Sequence, residues 1–178
     1  MNRKWGPILG LALLCSNASA QESSDSGFHF SPYIGLDAQF NFVNISDESF
    51  LPIGSRLRLG AYFWETIGVE ATGAFGLKSS EDVGVEVSLD SAYSVNIRWE
   101  SPDAEGLSAY LLTGYAWNEL NVKNNNSYPG STTLKGPNVG FGVKELYGDW
   151  GLFIEFSRQF SKDDVRIDSL NLGTQYQF

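Results

Sequence analysis

The chain has 178 residues, with 12 Lys and Arg against 21 Asp and Glu, and 14% of it is aromatic. That is the length of one domain, and an acid excess of this kind (−9) without a basic cluster excludes a nucleic-acid partner, because phosphate neutralisation needs grouped Lys and Arg. No uncharged apolar run approaches the ~20 residues of a membrane-crossing helix, so any contact with lipid falls to strands.

The chain opens with Arg3 and Lys4, a short apolar run from Ile8 to Cys15, and the small residues Ala18-Ser19-Ala20 before Gln21. This order predicts a secretory signal over 1–20, cleaved after Ala20. Leu14 precedes Cys15 where a lipidation signal needs a small side chain, which argues against a lipid anchor. Cleavage removes Arg3, Lys4 and the only cysteine, leaving ten bases against 21 acids, a charge of −11. A cysteine-free mature chain forms no disulfide and performs no thiol chemistry.

From residue 28 onward the apolar period is two, not 3.6. Over 28–43, Ile34, Leu36, Ala38, Phe40 and Phe42 share one face; Tyr33, Gly35, Asp37, Gln39 and Asn41 share the other. Over 55–64, Leu57, Leu59, Ala61 and Phe63 alternate with Arg56, Arg58, Gly60 and Tyr62. Over 67–77, Ile67, Val69, Ala71 and Phe75 oppose Gly68, Glu70, Thr72, Ala74 and Gly76. The segment 85–99 sets Val85, Val87, Leu89, Tyr93, Val95, Ile97 and Trp99 against Glu86, Ser88, Asp90, Ala92, Ser94, Asn96 and Arg98. In 107–122 both parities are largely apolar, and the smaller Gly114 and Ala116 favour placing Ala109, Leu111, Thr113, Tyr115 and Trp117 outward. Three more segments follow. Val139, Phe141 and Val143 alternate with Gly140, Gly142 and Lys144; Leu152, Ile154 and Phe156 with Phe153, Glu155 and Ser157; and Leu170, Leu172, Thr174, Tyr176 and Phe178 with Asn171, Gly173, Gln175 and Gln177.

Eight amphipathic segments with alternating connectors predict an all-β fold, an eight-stranded antiparallel up-and-down transmembrane β-barrel over 28–178, preceded by a short segment 21–27. Lipid offers no partner to an open sheet edge, so the sheet must close. The short connectors at 65–66, 101–106 and 148–149 read as periplasmic turns. The longer ones at 44–54, 78–84, 123–137 and 161–168 read as extracellular loops, with 124–130 loop chemistry throughout.

Alternation alone does not distinguish this from a soluble lipocalin-like barrel. Glycine and alanine on the polar face suit a crowded narrow lumen, and aromatic residues near the ends of the apolar face (Phe40, Phe42, Phe63, Phe75, Trp99, Trp117, Tyr176, Phe178) read as interfacial girdles. Both features point to the membrane.

Four stretches carry a family resemblance. Ser31-Pro32-Tyr33-Ile34-Gly35-Leu36, Ile67-Gly68-Val69-Glu70, Asn138-Val139-Gly140-Phe141-Gly142-Val143-Lys144 and Asn171-Leu172-Gly173-Thr174-Gln175-Tyr176-Gln177-Phe178 resemble the first, third, sixth and last strands of the small OmpA/OmpX-like outer-membrane barrels of Gram-negative bacteria. The resemblance implies an outer-membrane location with both termini in the periplasm. It also implies passage through periplasmic chaperones to the barrel assembly machinery, with Tyr176 and Phe178 as the terminal signal, and outer-membrane lipids and lipopolysaccharide as surroundings.

The polar face carries Asp37, Glu70, Glu86, Asp90 and Glu155 against Arg56, Arg58, Arg98 and Lys144. Buried charges persist when paired, so these nine residues are expected to form a lumen network that closes the barrel. A polar path for water or small ions is the alternative. Catalysis has little to build on: the only His is His29, and His29-Phe30-Ser31 has the spelling of the lipid A deacylase motif but sits in the first strand instead of the last ones. No cofactor is expected. Asp47 and Glu48, and Asp163, Asp164 and Asp168, read as a solvated acidic rim without Ca²⁺-loop spacing. Arg158, on an outward parity near the outer end of its strand, is a candidate lipopolysaccharide contact. The expected role is structural, or interactive with a surface ligand through the four outer loops, with a narrow channel second and a lipid A-modifying enzyme a distant third.

Overall fold

The computed structural model describes residues 28–45, 48–82, 85–124, 127–162 and 165–178. The expected signal 1–20 and the segment 21–27 lie outside the described residues. Ten strands follow in chain order: β1 (Ser31–Ile45), β2 (Glu48–Phe50), β3 (Ile53–Trp64), β4 (Ile67–Lys78), β5 (Ser80–Asp82), β6 (Val85–Glu100), β7 (Leu107–Asn124), β8 (Ser127–Tyr147), β9 (Trp150–Lys162) and β10 (Val165–Gln177). The eight long strands form one antiparallel sheet in which each pairs with its neighbours in the chain, and β10 returns to β1 from Tyr33 opposite Gln177 to Ile45 opposite Val165. The sheet is thus a closed eight-stranded barrel. The three-residue strands β2 and β5 add to β1 and β6 at one end.

That end is the long-hairpin end. At the other, the connections are short: 65–66, 101–106 and 148–149. Gly148, at φ +64°, supplies the left-handed conformation that a two-residue hairpin turn demands.

Side chains alternate between a lumen face and an exposed apolar belt. Leu59, Val69, Val95, Leu111, Val143 and Ile154 lie on the belt, and Tyr33, Arg58, Glu70, Arg98 and Glu155 are buried inside. The ambiguous strand β7 turns Leu111, Tyr115 and Trp117 outward and buries Tyr110, Leu112 and Ala116. Glycine in the lumen is matched to bulk across the ladder. Gly60 lies opposite Tyr33 and Gly142 opposite Tyr110, and a Cβ on either would fall within 2.4 Å of the partner's ring. The two tyrosines can fold across the lumen only because those positions carry no side chain.

Sequence expectations need correction at two connectors and in β6. Over its described residues 161–168 is not a loop, since β9 runs to Lys162 and β10 begins at Val165, with Arg166 opposite Ser161 and Ile167 opposite Phe160. The described residues of 123–137 continue the two strands and do not form a loop: β7 and β8 stay paired from Leu107 opposite Glu145 up to Asn124 opposite Ser127. The Pro, Gly and Asn residues of this stretch resemble loop chemistry, but β8 pairs with β9 only from Val139 onward, so Pro129 and Pro137 lie on a strand edge, the position in a sheet that tolerates proline. The third correction concerns β6. Register shifts between Leu89 and Ser91, so Asp90 is the extra residue of a bulge. The alternation resets there, burying Val87 and Leu89 and leaving Asp90 exposed and Glu86 only partly covered.

Candidate functional site

The lumen is the most chemically loaded part of the molecule. Nearest the short turns, Lys144 from β8 and Arg98 from β6 both grip Glu100, Arg98 through Nε at 3.0 Å. Ser108 donates to the same carboxylate at 2.6 Å, and Tyr62 adds a short hydroxyl contact. One layer deeper, Glu70 accepts from Tyr33 at 2.8 Å, from Arg98 at 3.1 Å and from Arg58 at 3.2 Å. Above that, Glu155 lies 2.8 Å from Arg56 Nη2 and 3.1 Å from Arg58 Nη1, with Tyr110 donating at 3.0 Å. Asp37 completes the set, 2.9 Å from Arg56 and 3.0 Å from Arg58. Four carboxylates meet four bases, so the chain of charges is neutral as a whole. Aromatic faces cover the guanidiniums: Arg58 lies 4.0 Å from the centroid of Phe153 and Arg98 lies 3.7 Å from that of Tyr110.

Of the nine residues marked from sequence, the structure thus brings Asp37, Arg56, Arg58, Glu70, Arg98, Lys144 and Glu155 together and leaves Asp90 and Glu86 outside the cluster. Glu100 was missed. Its signal is legible, since the inward parity of Ser94, Asn96 and Arg98 continues to it, but the alternating segment read from sequence ends at Trp99 and the connector begins at Ser101, so Glu100 belongs to neither.

Beyond the charges the lumen becomes neutral and polar, with Gln39, Asn41, Thr72, Ser94, Asn96, Asn138, Ser157 and Asn171 buried. It then turns apolar. Val43, Phe50, Ala74, Val87, Leu89, Ala92, Leu120 and Ile167 form one cluster at the long-hairpin end, and Phe50 reaches it from the short strand β2. At the opposite end a cavity of 340 Å³ opens below the network, lined by His29, Tyr62, Glu100, Ser108, Lys144 and Gln177 among others.

On the outer face, Arg158 holds Asp168 through Nε at 2.7 Å, and Arg166 reaches the same carboxylate at 3.1 Å. Asp168 is therefore an ion-pair partner here; Asp47, Asp163 and Asp164 lie outside the described residues. Among the described residues no three His, Cys, Asp or Glu side chains are grouped as metal ligands, and no helix is long and apolar enough to cross a membrane. His29 precedes β1, and its backbone N–H donates to Phe63 O at 3.0 Å.

A closed sheet that is apolar outside and charged within, with aromatic pairs such as Trp150–Tyr176 at 5.2 Å and Tyr176–Phe178 at 5.0 Å near the short-turn end, is built to stand in lipid. A protein-family profile described as the outer membrane protein beta-barrel domain matches residues 8–178. The chain belongs to this outer-membrane β-barrel family. It is an outer-membrane protein of the Gram-negative type. No curated protein matches its sequence. Among solved structures, the barrel is similar to Ail, the attachment invasion locus protein of Yersinia pestis, in complex with the heparin analogue sucrose octasulfate: TM-score 0.65 at 18% identity, covering 84% of this chain and 99% of that one. Neisserial surface protein A follows at TM-score 0.63 and 16% identity over 83% and 97% of the two chains. The N-terminal β-barrel domain of Pseudomonas aeruginosa OprF gives 0.61 at 15% identity over 82% and 97%. At these identities the likeness is one of fold.

Proposed function

We propose that this barrel is a closed structural scaffold whose work is done at the cell surface, where its long hairpins meet other molecules. The observation that carries the reading is the double closure of the lumen. Arg58, Glu70, Arg98 and Glu155 have no exposure at all, and the apolar cluster covers the end they do not occupy. In this reading the lumen network Asp37, Arg56, Arg58, Glu70, Glu100, Arg98, Lys144 and Glu155 is a plug, and residues 1–20 are removed on export. The termini and short turns face the periplasm, and Tyr176 and Phe178 form the signal read by the assembly machinery after chaperone transfer. Outer-membrane lipids and lipopolysaccharide surround the belt, with Arg158 at their head-group level.

The chain is read as a non-enzyme: His29 has no triad spacing to support nucleophilic chemistry. Ail's bound heparin analogue is a precedent for surface ligands on this fold, but an acid excess of −9 gives no general reason to expect a polysulfate here. A narrow channel is the second reading, favoured by the neutral middle of the lumen, where both side-chain polar atoms of Gln39 and Nδ2 of Asn118 have no partner among the described residues. Conductance of the refolded mature protein in a planar bilayer separates the two. The scaffold reading expects a folded, silent barrel, and steady discrete steps would overturn it. Shortening the β7–β8 hairpin tip by deleting 124–130 should remove surface binding while the barrel still folds.

A further inference from the structure

Ten bases follow residue 27, and four of them belong to the lumen network. The other six are Lys78, Lys123, Lys135, Arg158, Lys162 and Arg166, and each lies in the half of its strand nearest the long hairpins. The short turns carry Glu65, Asp103, Glu105 and Asp149 and no base. Two of the six bases are arginines on adjacent strands of the lipid-exposed face. Arg158 and Arg166 share Asp168, which is the one acceptor either guanidinium meets among the described residues, and both side chains remain half exposed. Asp168 is nearly covered, so it orients both guanidiniums from behind and leaves the group with a net charge of +1.

Below and beside this pair the surface is apolar. Phe42 on β1 stands opposite Asp168 on β10, which stands opposite Arg158 on β9; the next outward-facing row sets Phe40 opposite Leu170 and Leu170 opposite Phe156. A groove of 390 Å³ is lined by Phe42, Leu51 and Phe156 together with Asn44, Arg166 and Asp168, and Arg158 flanks it from β9 through its pairing with Asp168. Cationic forks above an aromatic-walled apolar channel match a molecule that carries a phosphate at one end and a hydrocarbon chain at the other.

We propose that this face of β1, β9 and β10 is a binding site for a phosphorylated, acylated glycolipid of the outer leaflet, with the phosphate on Arg158 and Arg166 and an acyl chain in the Phe42–Phe156 groove. The site rests on the reading that the long hairpins face outward. Phosphate suits the pair because a guanidinium presents parallel N–H donors to two oxygens at once, and because the shared carboxylate fixes the arginines before the ligand arrives. A shared Asp also explains why two cations can stand on a lipid-facing wall, where an isolated charge is costly.

The test uses the full mature barrel in phosphatidylcholine nanodiscs doped with bis-phosphorylated lipid A or with the same lipid enzymatically dephosphorylated. Lipid that co-purifies after detergent exchange is counted by mass spectrometry, with folding followed by heat-modifiable gel mobility. The wild type should retain the phosphorylated form about tenfold over the dephosphorylated one, and Arg158→Ala with Arg166→Ala should abolish that preference. Lys135→Ala, which removes an outer-half base elsewhere, should leave it intact. Asp168→Ala, which leaves both guanidiniums in place but unfixed, should lower the preference for the phosphorylated lipid, and an unchanged preference would overturn the preorganised pair. Equal retention of the two lipids by a folded wild-type barrel, or an undiminished preference in the double variant, overturns the site while leaving the barrel's outer-membrane role standing. Failure of the wild type to insert at all would overturn the reading beneath it.

Discussion

The two ends of the lumen are filled by opposite chemistries. Toward the short turns, Glu155, Glu70, Asp37 and Glu100 are each gripped by two bases, so the interior is filled by paired charges. Toward the long hairpins, Val43, Phe50, Val87, Leu89, Leu120 and Ile167 fill the lumen with apolar side chains. The difference follows from what surrounds each end. The charged half is walled by the lipid-facing belt, where backbone ladders are complete and the geometry is stiff enough to hold multi-centre ion pairs. The apolar half lies under β2 and the hairpin extensions, where side chains pack as they would in a soluble core. An ionic plug depends on every member being present, whereas an apolar plug degrades one contact at a time.

That contrast can be broken most sharply at Glu155. Glu155→Ala strands Arg56 and Arg58 in a site with no exposure, and a loss of about 3–5 kcal/mol is expected in denaturant unfolding of vesicle-inserted protein. Leu120→Ala in the apolar cluster should cost less, about 2–4 kcal/mol in the same assay, because its neighbours relax partly into the gap. Replacing both partners at once sharpens the comparison: Glu100→Gln with Lys144→Met removes charge without leaving an orphan, so the double variant should lose no more than about 1.5 kcal/mol while Lys144→Met alone loses more. The smallest effect belongs to Asp90. It is exposed at the β6 bulge, and Asp90→Ala should shift stability by less than about 0.5 kcal/mol, whereas Asp37→Ala should behave like the Glu155 variant. A large effect at Asp90 would mean that the bulge does not turn it outward.

Conductance provides an independent contrast. With two barriers in series, Val87→Ser with Leu89→Ser should remain silent in a planar bilayer. Adding Glu155→Gln and Arg58→Gln to that background should give the first measurable current.

Much of the fold was legible because strand alternation is local. Arg56 and Arg58 sit two apart among Leu57 and Leu59, and no other arrangement of that stretch keeps the leucines together. The same logic placed Glu70, Arg98, Lys144 and Glu155 inward. It failed at Asp90 because a bulge inserts one residue without leaving a compositional mark: Val87 and Leu89 have the same spacing as Val95 and Ile97 and face the other way. It failed again over 127–137, where Pro129, Gly130 and Pro137 read as loop residues although a strand edge with no partner on its β9 side tolerates them.

The sequence by itself determined which face of most strands meets lipid and which meets the lumen, because a period of two is imposed by the backbone of each strand alone. It determined the even strand count and the closed architecture as well, because lipid leaves no alternative for amphipathic strands. Only the tertiary structure decided who pairs with whom. Arg56 and Glu155 lie 99 residues apart and meet at 2.8 Å because closure between β1 and β10 brings β3 and β9 to opposite sides of one narrow lumen. Where the lumen changes from ionic to apolar was also settled there, by a bulge and a short covering strand whose placement depends on contacts from across the barrel.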